Sequence, residues 1–323
     1  MNHAVTKMQK TIIILIPVYN DFASLEILIR RLEEITAEIK DTNFLVLIVN
    51  DGSTDVVKIP VSKSLTIDIL HLHRNLGHQK AIAIGLSFVH QKKQASKVLI
   101  MDGDGEDRPE DIPYLLKQSE IDNEQIVFAQ RRSRQRGFGF TIFYFLYKLV
   151  FYCLTGKKIS SGNFMIIPKD KLSHLVFYSE IWNHLSAAII KSKLSFVAVP
   201  IKRGKRYMDS AKMSFMSLVL HGLGAIAVFL EQVISRLLVI SFILIFLSGI
   251  VMLAIILIKI FTGWAIPGWA STVLLLVIIV FLQGFLLSLF TIFFFLSSQS
   301  QRKFIPAYHY EEYVLSVETI SHV

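Results

Sequence analysis

Short apolar runs alternate with helical patterns between residues 11 and 201. Six apolar runs, most of them rich in β-branched residues, predict strands: TIIILI, FLVLIVN, LTIDILHL, KVLIM, QIVFA and FVAVPI. Apolar residues at helical spacing lie between them and predict helices over Ser24 to Lys40, over Gln79 to Gln91 and near Asp111 to Ser119. Continuous apolar strands that alternate with helices are typical of a mostly parallel sheet covered on both faces. The pattern therefore predicts an α/β domain.

Two longer apolar stretches follow this region. Leu237 to Ile258 contains 22 residues without a charge, and Ser271 to Leu296 contains 26 more. At about 1.5 Å of rise per residue, each helix is long enough to cross a hydrocarbon core of roughly 30 Å. The connector between them carries Trp264 and Trp269, which suit the headgroup boundary. The two stretches predict a transmembrane hairpin.

Composition and charge agree with a membrane-bound chain. The 323 residues are 53% hydrophobic, with a formal net charge of +9. Lys and Arg cluster in KRGKR at 202–206 and after the second stretch, so the positive-inside rule predicts that both ends of the hairpin face the cytoplasm. The single cysteine, Cys153, suits a reducing compartment. We expect an integral membrane protein, in the plasma membrane of a bacterium, with its large α/β domain in the cytosol.

The predicted organisation has four parts. Residues 1–210 form the cytosolic α/β domain, 211–232 a juxtamembrane helix, 233–298 the transmembrane hairpin and 299–323 a cytosolic tail. Within the first part, residues 138–154 are aromatic-rich and carry Lys148 as their only charge. This segment is short for a membrane span, so we expect a helix that lies in the membrane interface. A core helix is the alternative.

Polar clusters follow three of the predicted strands: PVYND, NDGSTD and DGDGED. In open α/β sheets, ligands bind beyond the carboxyl ends of the strands. Asp102 and Asp104 are separated by one glycine, which can bring two carboxylates toward one point. Mg²⁺ or Mn²⁺ takes one or two protein carboxylates and completes its shell with water and phosphate oxygens. The cluster therefore predicts a metal and phosphate site, with an acidic helix-capping loop as the alternative.

Four segments, in order and spacing, resemble a known family: IPVYND, VNDGSTD, RNLGHQKAIAIGL and MDGDGEDRPED. They are similar to the glycosyltransferase family 2 domain, which has the GT-A fold. A single catalytic domain followed by two membrane helices resembles, more narrowly, the polyprenyl-phosphate glycosyltransferases of the dolichol-phosphate-mannose-synthase-like group. The sequence departs from the family at His78, where lysine is frequent, and at Glu106, where close relatives often carry glutamine.

The resemblance implies roles for individual residues. Asp51 matches the aspartate that reads the nucleotide base. Turn formation or helix capping is the alternative for Asp51 and for Pro17, Tyr19 and Asn20. The implied metal ligands, Mg²⁺ or Mn²⁺ being the cofactor, are Asp102, Asp104 and Glu106. The implied donor-binding residues are Pro17, Tyr19, Asn20, Asp51, Asn75, Gly77, Asp102, Arg206, Ser210 and Lys212. Ser161, Gly162 and Asn163 are expected to border the donor sugar.

An arginine cluster follows the strand QIVFA. The segment AQRRSRQRG supplies Arg131 and Arg134, among others, and a guanidinium group binds phosphate oxygens through two parallel hydrogen bonds. Together with Asp104, these two arginines are the catalytic candidates. A basic patch that attracts lipid headgroups is the alternative, both here and for the loop with Arg206 and Lys212.

The expected reaction is the transfer of a sugar from a nucleotide-sugar donor to a polyprenyl phosphate. A phosphate acceptor is largely a dianion at neutral pH and needs no strong base, so direct displacement with inversion is expected. A transferase that acts on a hydroxyl acceptor, a nucleotidyltransferase and a non-enzymatic membrane scaffold are the alternatives. The expected partners are donor, acceptor and lipid bilayer, without nucleic acid; a homo-oligomer is left open.

Overall fold

The computed structural model describes residues 10–55, 62, 64–131, 138–158, 162–208, 215–262 and 268–320. The chain divides into two compact units. The first comprises Met1–Tyr144, Lys158–Val228 and Phe304–Val323, and the second comprises Phe145–Lys157 and Phe229–Lys303.

The first unit is built around one eight-stranded sheet with the order β7-β5-β6-β4-β1-β2-β3-β8. Its strands are β1 Lys10–Val18, β2 Thr42–Asn50, β3 Thr66–Leu72, β4 Lys97–Ile100, β5 Ile126–Arg131, β6 Met165–Pro168, β7 Phe196–Ile201 and β8 Val314–Ile320. Its helices are α1 Phe22–Ala37, α2 His78–Lys92, α3 Ile112–Ile121, α5 Lys169–Leu175, α6 Leu185–Ser192, α7 Phe215–Ala227 and α10 Pro306–His309. Helix α4, Phe138–Thr155, begins in this unit and continues into the second.

The centre of the sheet is parallel, as predicted. β4, β1, β2 and β3 run side by side in one direction, while β6 lies antiparallel between β4 and β5. Alternate residues of β1 face opposite sides of the sheet: Ile13 and Leu15 pack on the side of α2, and Ile14 and Ile16 pack on the side of α1. Apolar side chains cover both faces, which is why the strands read as unbroken apolar runs.

Two strands were not predicted from the sequence. β6 has only four residues and lies within the segment SSGNFMIIPK, which reads as a loop. β8 forms from residues expected to be a tail after the hairpin, and it pairs antiparallel with β3. Most of its side chains are exposed, so its sequence lacks the apolar run that identified the other strands.

The segment before β8 is also folded. Tyr310 is only 2% exposed, and the Gln91 side-chain amide donates to the Ala307 carbonyl. Residues 306–320 are therefore an integral part of the first unit.

The second unit contains α8, Leu230–Phe261, and α9, Trp269–Ser300. The expected spans lie inside these helices, whose most apolar 18-residue stretches have mean hydropathies of 3.0 and 2.9. Their large apolar side chains are mostly exposed, unlike those of a soluble core helix. Small residues mark the contact between them: Ser241 and Ser248 of α8, and Gly284 and Ser288 of α9, are buried. A Cβ atom at Gly284 would lie 3.1 Å from Ile245, so the glycine permits close helix packing. Both helices are long and apolar enough to cross a membrane.

Arg236 joins α8 to the second part of α4. Its guanidinium group donates to the carbonyls of Tyr152 and Cys153, in the last turn of α4. A positive charge at a helix C-terminus satisfies free carbonyl groups and complements the helix dipole. This contact fixes the last turn of α4 to α8 within the second unit.

Candidate functional site

The polar clusters found in the sequence come together at one edge of the sheet. The parallel strands β1, β2, β3 and β4 all end there, so the loops that begin at Tyr19, Asp51, His73 and Met101 are neighbours. β6 runs opposite to β4, and β5 runs opposite to β6, so β5 has the same direction as β4. β5 and its parallel neighbour β7 therefore also end at this edge.

The loops after β1 and β2 are tied together by Asn20. Its backbone adopts a φ of 49°, and its Oδ1 accepts a hydrogen bond of 2.9 Å from the Thr54 N–H. The Asn20 N–H donates to Ser53 Oγ at 3.0 Å. Tyr19 is 43% exposed beside it, whereas Pro17 is the penultimate residue of β1. Asn20 thus shapes the turn, and Tyr19 is available to a ligand.

Asp51, the first residue of the loop after β2, is buried against the loop after β3. Its Oδ1 accepts the Leu76 N–H at 2.8 Å and its Oδ2 accepts the Gly77 N–H at 2.9 Å, while the residue is only 3% exposed. Burial raises the pKa of the carboxyl, although the two backbone hydrogen bonds and Lys80 oppose the rise. Each oxygen keeps a second lone pair for a ligand. The structure therefore gives Asp51 a structural role beside the base-reading role that the resemblance implies.

Glycines allow these two loops to approach each other. A Cβ atom at Gly52 would collide with the backbone of Arg74 and Asn75, and Gly52 has a φ of +64°. Gly77, the residue directly before α2, has a φ of +94° but has open space around it. Close backbone approach explains Gly52, and the conformation alone explains Gly77.

The DGDGED segment forms a tight turn directly after β4. The Asp102 N–H donates to Asp107 Oδ2 at 2.9 Å, and Asp104 Oδ1 accepts the Glu106 N–H at 3.0 Å. The Asp102 and Asp104 side chains are 28% and 25% exposed, whereas Asp107 is fully buried. Asp107 thus holds the turn, a role that was missed because the sequence alone does not show which carboxylate is buried.

The loop after β7 binds this turn through hydrogen bonds and ion pairs. The Gly204 N–H donates to the Glu106 carbonyl at 2.9 Å, and the Tyr207 N–H donates to the Asp104 carbonyl at 3.0 Å. Glu106 Oε1 pairs with Arg203 and, at 2.9 Å, with Arg206 Nε. A terminal nitrogen of Arg206 lies 3.2 Å from Asp104 Oδ2.

The three expected metal ligands do not form one set in the structure. Within the described residues, no group of three or more His, Cys, Asp or Glu side chains is arranged to hold a metal ion. The Glu106 carboxylate is directed to two arginines and is 7% exposed, which argues against its expected place in the shell. Asp102 and Asp104 remain as a pair of carboxylates at the strand end.

His78 lies beside the first of these carboxylates. Its Nε2 is 3.3 Å from Asp102 Oδ1 and 2.9 Å from the side-chain nitrogen of Asn163, the second residue before β6. Loss of hydration lowers the pKa of the His78 imidazole, although Asp107 and Asp104 oppose this effect. The structure thus places Asn163 beside His78, and its expected contact with the donor sugar stays a prediction.

Two further histidines pack together near α6. The rings of His184 and His221 are 4.6 Å apart, and burial lowers the pKa of His184 to about 3 and that of His221 to about 4. His184 Nδ1 accepts the Ala187 N–H at 3.3 Å and so caps α6. These contacts give His184 a structural role.

The expected cationic residues are placed only in part. Arg206 lies at the site, and Arg131 is the last residue of β5, at the same edge of the sheet. The side chain of Arg131 lies outside the described part of the structure, as do Arg134, Ser161, Ser210 and Lys212. The roles expected for these residues stay predictions.

Known proteins resemble this chain in sequence. Over 275 residues it is 26% identical to the uncharacterized glycosyltransferase YkcC of Bacillus subtilis (strain 168), and the match covers 81% of each chain. Over 126 residues it is 35% identical to the uncharacterized glycosyltransferase sll0501 of a Synechocystis species, covering 38% of each chain.

The fold is also similar to that of solved structures. The crystal structure of glucosyl-3-phosphoglycerate synthase from Mycobacterium tuberculosis in complex with Mn²⁺, UDP and glucosyl-3-phosphoglycerate matches with a TM-score of 0.50 and 15% identity, covering 70% of this chain and 81% of that one. The profile of the family described as glycosyl transferase family 2 matches residues 13–175, which is half of the chain. The expected GT-A fold is therefore confirmed, and the chain belongs to glycosyltransferase family 2.

Proposed function

We propose that this protein transfers a sugar from a nucleotide-sugar donor to a polyprenyl phosphate at the cytosolic face of a membrane. One observation carries the proposal: a family 2 domain with Asp102 and Asp104 at the end of β4 shares its chain with two helices long and apolar enough to cross a bilayer. The donor site suits a water-soluble substrate, and the helices suit a lipid acceptor.

The carboxylate pair fits a divalent cation. Asp102 and Asp104 follow one strand, are partly exposed, and would leave most of the coordination shell to water and to the donor diphosphate, as Mg²⁺ and Mn²⁺ prefer. The Mycobacterium tuberculosis synthase was crystallised with Mn²⁺ and UDP. When bound, the cation would neutralise charge on the departing diphosphate. We propose Asp102 and Asp104 as its protein ligands. Glu106 pairs with Arg203 and Arg206 and is not among them.

The other residues of the site prepare it for the donor. Asp51 fixes the backbone of Leu76 and Gly77 beside the predicted nucleotide, while Tyr19 offers an exposed ring. Arg206 holds Asp104 and Glu106 in the structure described here, and its guanidinium group lies close enough to the carboxylate pair to contact a donor phosphate. Preorganised groups of this kind stabilise charge that develops in the transition state.

The acceptor assignment is supported by chemistry and by location. A phosphate monoester is already ionised at neutral pH, so its oxygen can displace the diphosphate without a protein base. Arg131 ends β5 at the edge where the donor site lies, and α4 follows with several exposed aromatic residues. We propose that Arg131 and Arg134 bind the acceptor phosphate and that α4 lies in the membrane interface.

The acceptor can be tested with matched substrates. Membranes that contain the protein are incubated with a panel of nucleotide sugars and with polyprenyl phosphate or the unphosphorylated polyprenol. We expect transfer to the phosphate only. Transfer to the alcohol only would favour the hydroxyl-acceptor reaction, and release of pyrophosphate would favour a nucleotidyltransferase.

The arginine variants test the proposed phosphate contact. Arg131→Ala or Arg134→Ala should lower kcat/KM for polyprenyl phosphate about tenfold to a hundredfold, since a hydrogen bond to a charged group contributes about 1.5 to 3 kcal/mol. Nucleotide affinity should stay unchanged. Arg30→Ala is the control, because Arg30 is exposed on α1 and pairs only with Glu26 among the contacts described. Unchanged kinetics in both variants would reduce the arginine cluster to a lipid-facing patch.

A further inference from the structure

The loop after β7 is held on the DGDGED turn by its backbone. The Gly204 N–H donates to the Glu106 carbonyl at 2.9 Å, and the Tyr207 N–H donates to the Asp104 carbonyl at 3.0 Å. A Cβ atom at Gly204 would collide with the Gly105 carbonyl oxygen, so the two backbones are in direct contact. The side chains of this loop can therefore change partners while its backbone stays in place.

Two arginines of this loop share one buried carboxylate. Glu106 Oε1 pairs with Arg203 and, at 2.9 Å, with Nε of Arg206. The Glu106 side chain is 10% exposed, so little water can replace a lost partner. Removing both partners of a buried charge costs far more than removing either one, because a remaining partner keeps the charge compensated. Each arginine can therefore leave Glu106 more easily while the other stays.

The two arginines differ in what else they contact. A terminal nitrogen of Arg206 lies 3.2 Å from Asp104 Oδ2, which places Arg206 beside the carboxylate pair proposed to hold the cation. Arg203 pairs with Glu106 alone among the contacts described for it. Arg206 is thus the arginine that lies within reach of a donor phosphate, and Arg203 is the one that can stay with Glu106.

We propose that Arg203 is a positioning residue for the donor site: it keeps Glu106 paired and so releases Arg206 to bind the donor diphosphate. This inference rests on the proposed function, in which Arg206 contacts a donor phosphate. The exchange is one of ion-pair partners and involves no proton transfer. Arg206 leaves the Glu106 carboxylate for a phosphate oxygen, which a guanidinium group binds with similar geometry.

Binding of nucleoside diphosphates tests the release of Arg206. The probes are UDP, GDP, CDP and dTDP, each with Mn²⁺, measured by calorimetry on the full chain in detergent micelles. For the probe that the unaltered protein binds, Arg203→Gln should weaken binding about tenfold, because Arg206 then has to remain with Glu106. Lys202→Gln is the matched control, since it removes one exposed positive charge directly after β7, and it should stay within about twofold.

A second substitution separates release from direct contact. In Arg203→Gln/Glu106→Gln the side chain at position 106 carries no charge and no longer retains Arg206. We expect binding to return to within about threefold of the unaltered protein. Binding that stays weak in this double variant would overturn the inference, because Arg203 would then act on the phosphate itself. Full binding by Arg203→Gln alone would also overturn it.

The sharing of Glu106 can be tested without nucleotide. In urea unfolding of the full chain, Arg203→Gln and Arg206→Gln should each raise the unfolding equilibrium constant about threefold to tenfold. The variant with both changes should exceed the product of these effects by at least about tenfold, because Glu106 then loses both arginines. An effect equal to the product would overturn the sharing, whatever the nucleotide result. Absence of binding of every probe to the unaltered protein would instead refute the donor site of the proposed function, and the release of Arg206 would fall with it.

Discussion

Asp51→Asn tests how the donor site is assembled, because the change keeps the shape of the side chain and removes one acceptor. In the structure, the two carboxylate oxygens accept the N–H groups of Leu76 and Gly77 at 2.8 and 2.9 Å. Asparagine can accept only one of these N–H groups, and its own NH₂ group then faces the other. The variant therefore leaves one backbone donor unpaired next to a second donor.

The expected loss follows from this lost hydrogen bond. A hydrogen bond to a charged group contributes about 1.5 to 3 kcal/mol. Part of that loss is offset, because the neutral amide avoids the cost of burying a charge, a cost seen in the raised pKa of Asp51. We expect the free energy of unfolding to fall by about 1 to 2 kcal/mol. The freed loop should also weaken nucleotide binding about tenfold, which corresponds to about 1.4 kcal/mol.

The measurement is urea unfolding of the full chain in detergent micelles, with nucleotide binding measured by calorimetry on the same preparations. Asp55→Asn is the control, because Asp55 is exposed in the same loop and contributes only its backbone N–H to Asn20 among the contacts described. If Asp51→Asn matched the control in both stability and nucleotide affinity, the structural role of Asp51 would be wrong.

Three further changes test other parts of the first unit. The pKa of His184 is lowered to about 3 from an ordinary 6.5, so the unfolded chain binds more protons between these values and the free energy of unfolding should fall as the pH drops from about 6.5 toward 3. His184→Asn, which keeps a helix cap, should make this decline, measured by urea unfolding, shallower. An unchanged slope would contradict the role of His184. Gly52→Ala should destabilise the first unit by at least about 1 kcal/mol more than Gly77→Ala, because both glycines have a positive φ but only a Cβ atom at Gly52 would meet neighbouring backbone atoms. Equal melting temperatures of the two variants would contradict this. Thr319→Val should lower the free energy of unfolding by about 1.5 to 3 kcal/mol, because Thr319 Oγ1 donates at 2.7 Å to the buried Asp68 carboxylate. An unchanged free energy of unfolding would show that this contact does not stabilise β8.

The sequence predicted the parts of the fold that have strong local patterns of apolar residues. β1 and β2 are buried on both faces, so their residues form continuous apolar runs that cannot be mistaken for surface segments. The helices α8 and α9 are apolar over more than the thickness of a hydrocarbon core. In both cases the residues of the segment themselves indicate its environment.

The missed strand β8 lacks such a pattern. β8 lies at the edge of the sheet, exposes most of its side chains, and pairs with residues about 250 positions earlier in the chain. Pairing of this kind depends on where the chain is brought by the rest of the fold. A truncation before the hairpin would remove β8, so the isolated catalytic domain needs residues 304–320 to be complete.

The site was predicted by residue type and was incomplete in its contacts. The carboxylates of the DGDGED segment were identified as a group, but only the structure distinguishes Asp102 and Asp104, which are partly exposed, from Asp107, which is buried beneath them. Glu106 was expected in the metal shell because of the family resemblance. Its pairing with Arg203 and Arg206 arises from a loop about 100 residues later, which local spacing does not reveal.

The most direct test of the proposed function is product formation by the full chain in liposomes that contain polyprenyl phosphate. A panel of labelled nucleotide sugars is supplied with Mg²⁺ or Mn²⁺, and the lipid fraction is analysed for a sugar attached to the phosphate. The unaltered protein should form this product with at least one donor, while Asp104→Asn should form none. A labelled sugar lipid that forms equally well in Asp104→Asn, or that carries its sugar on a hydroxyl group, would contradict the proposed reaction.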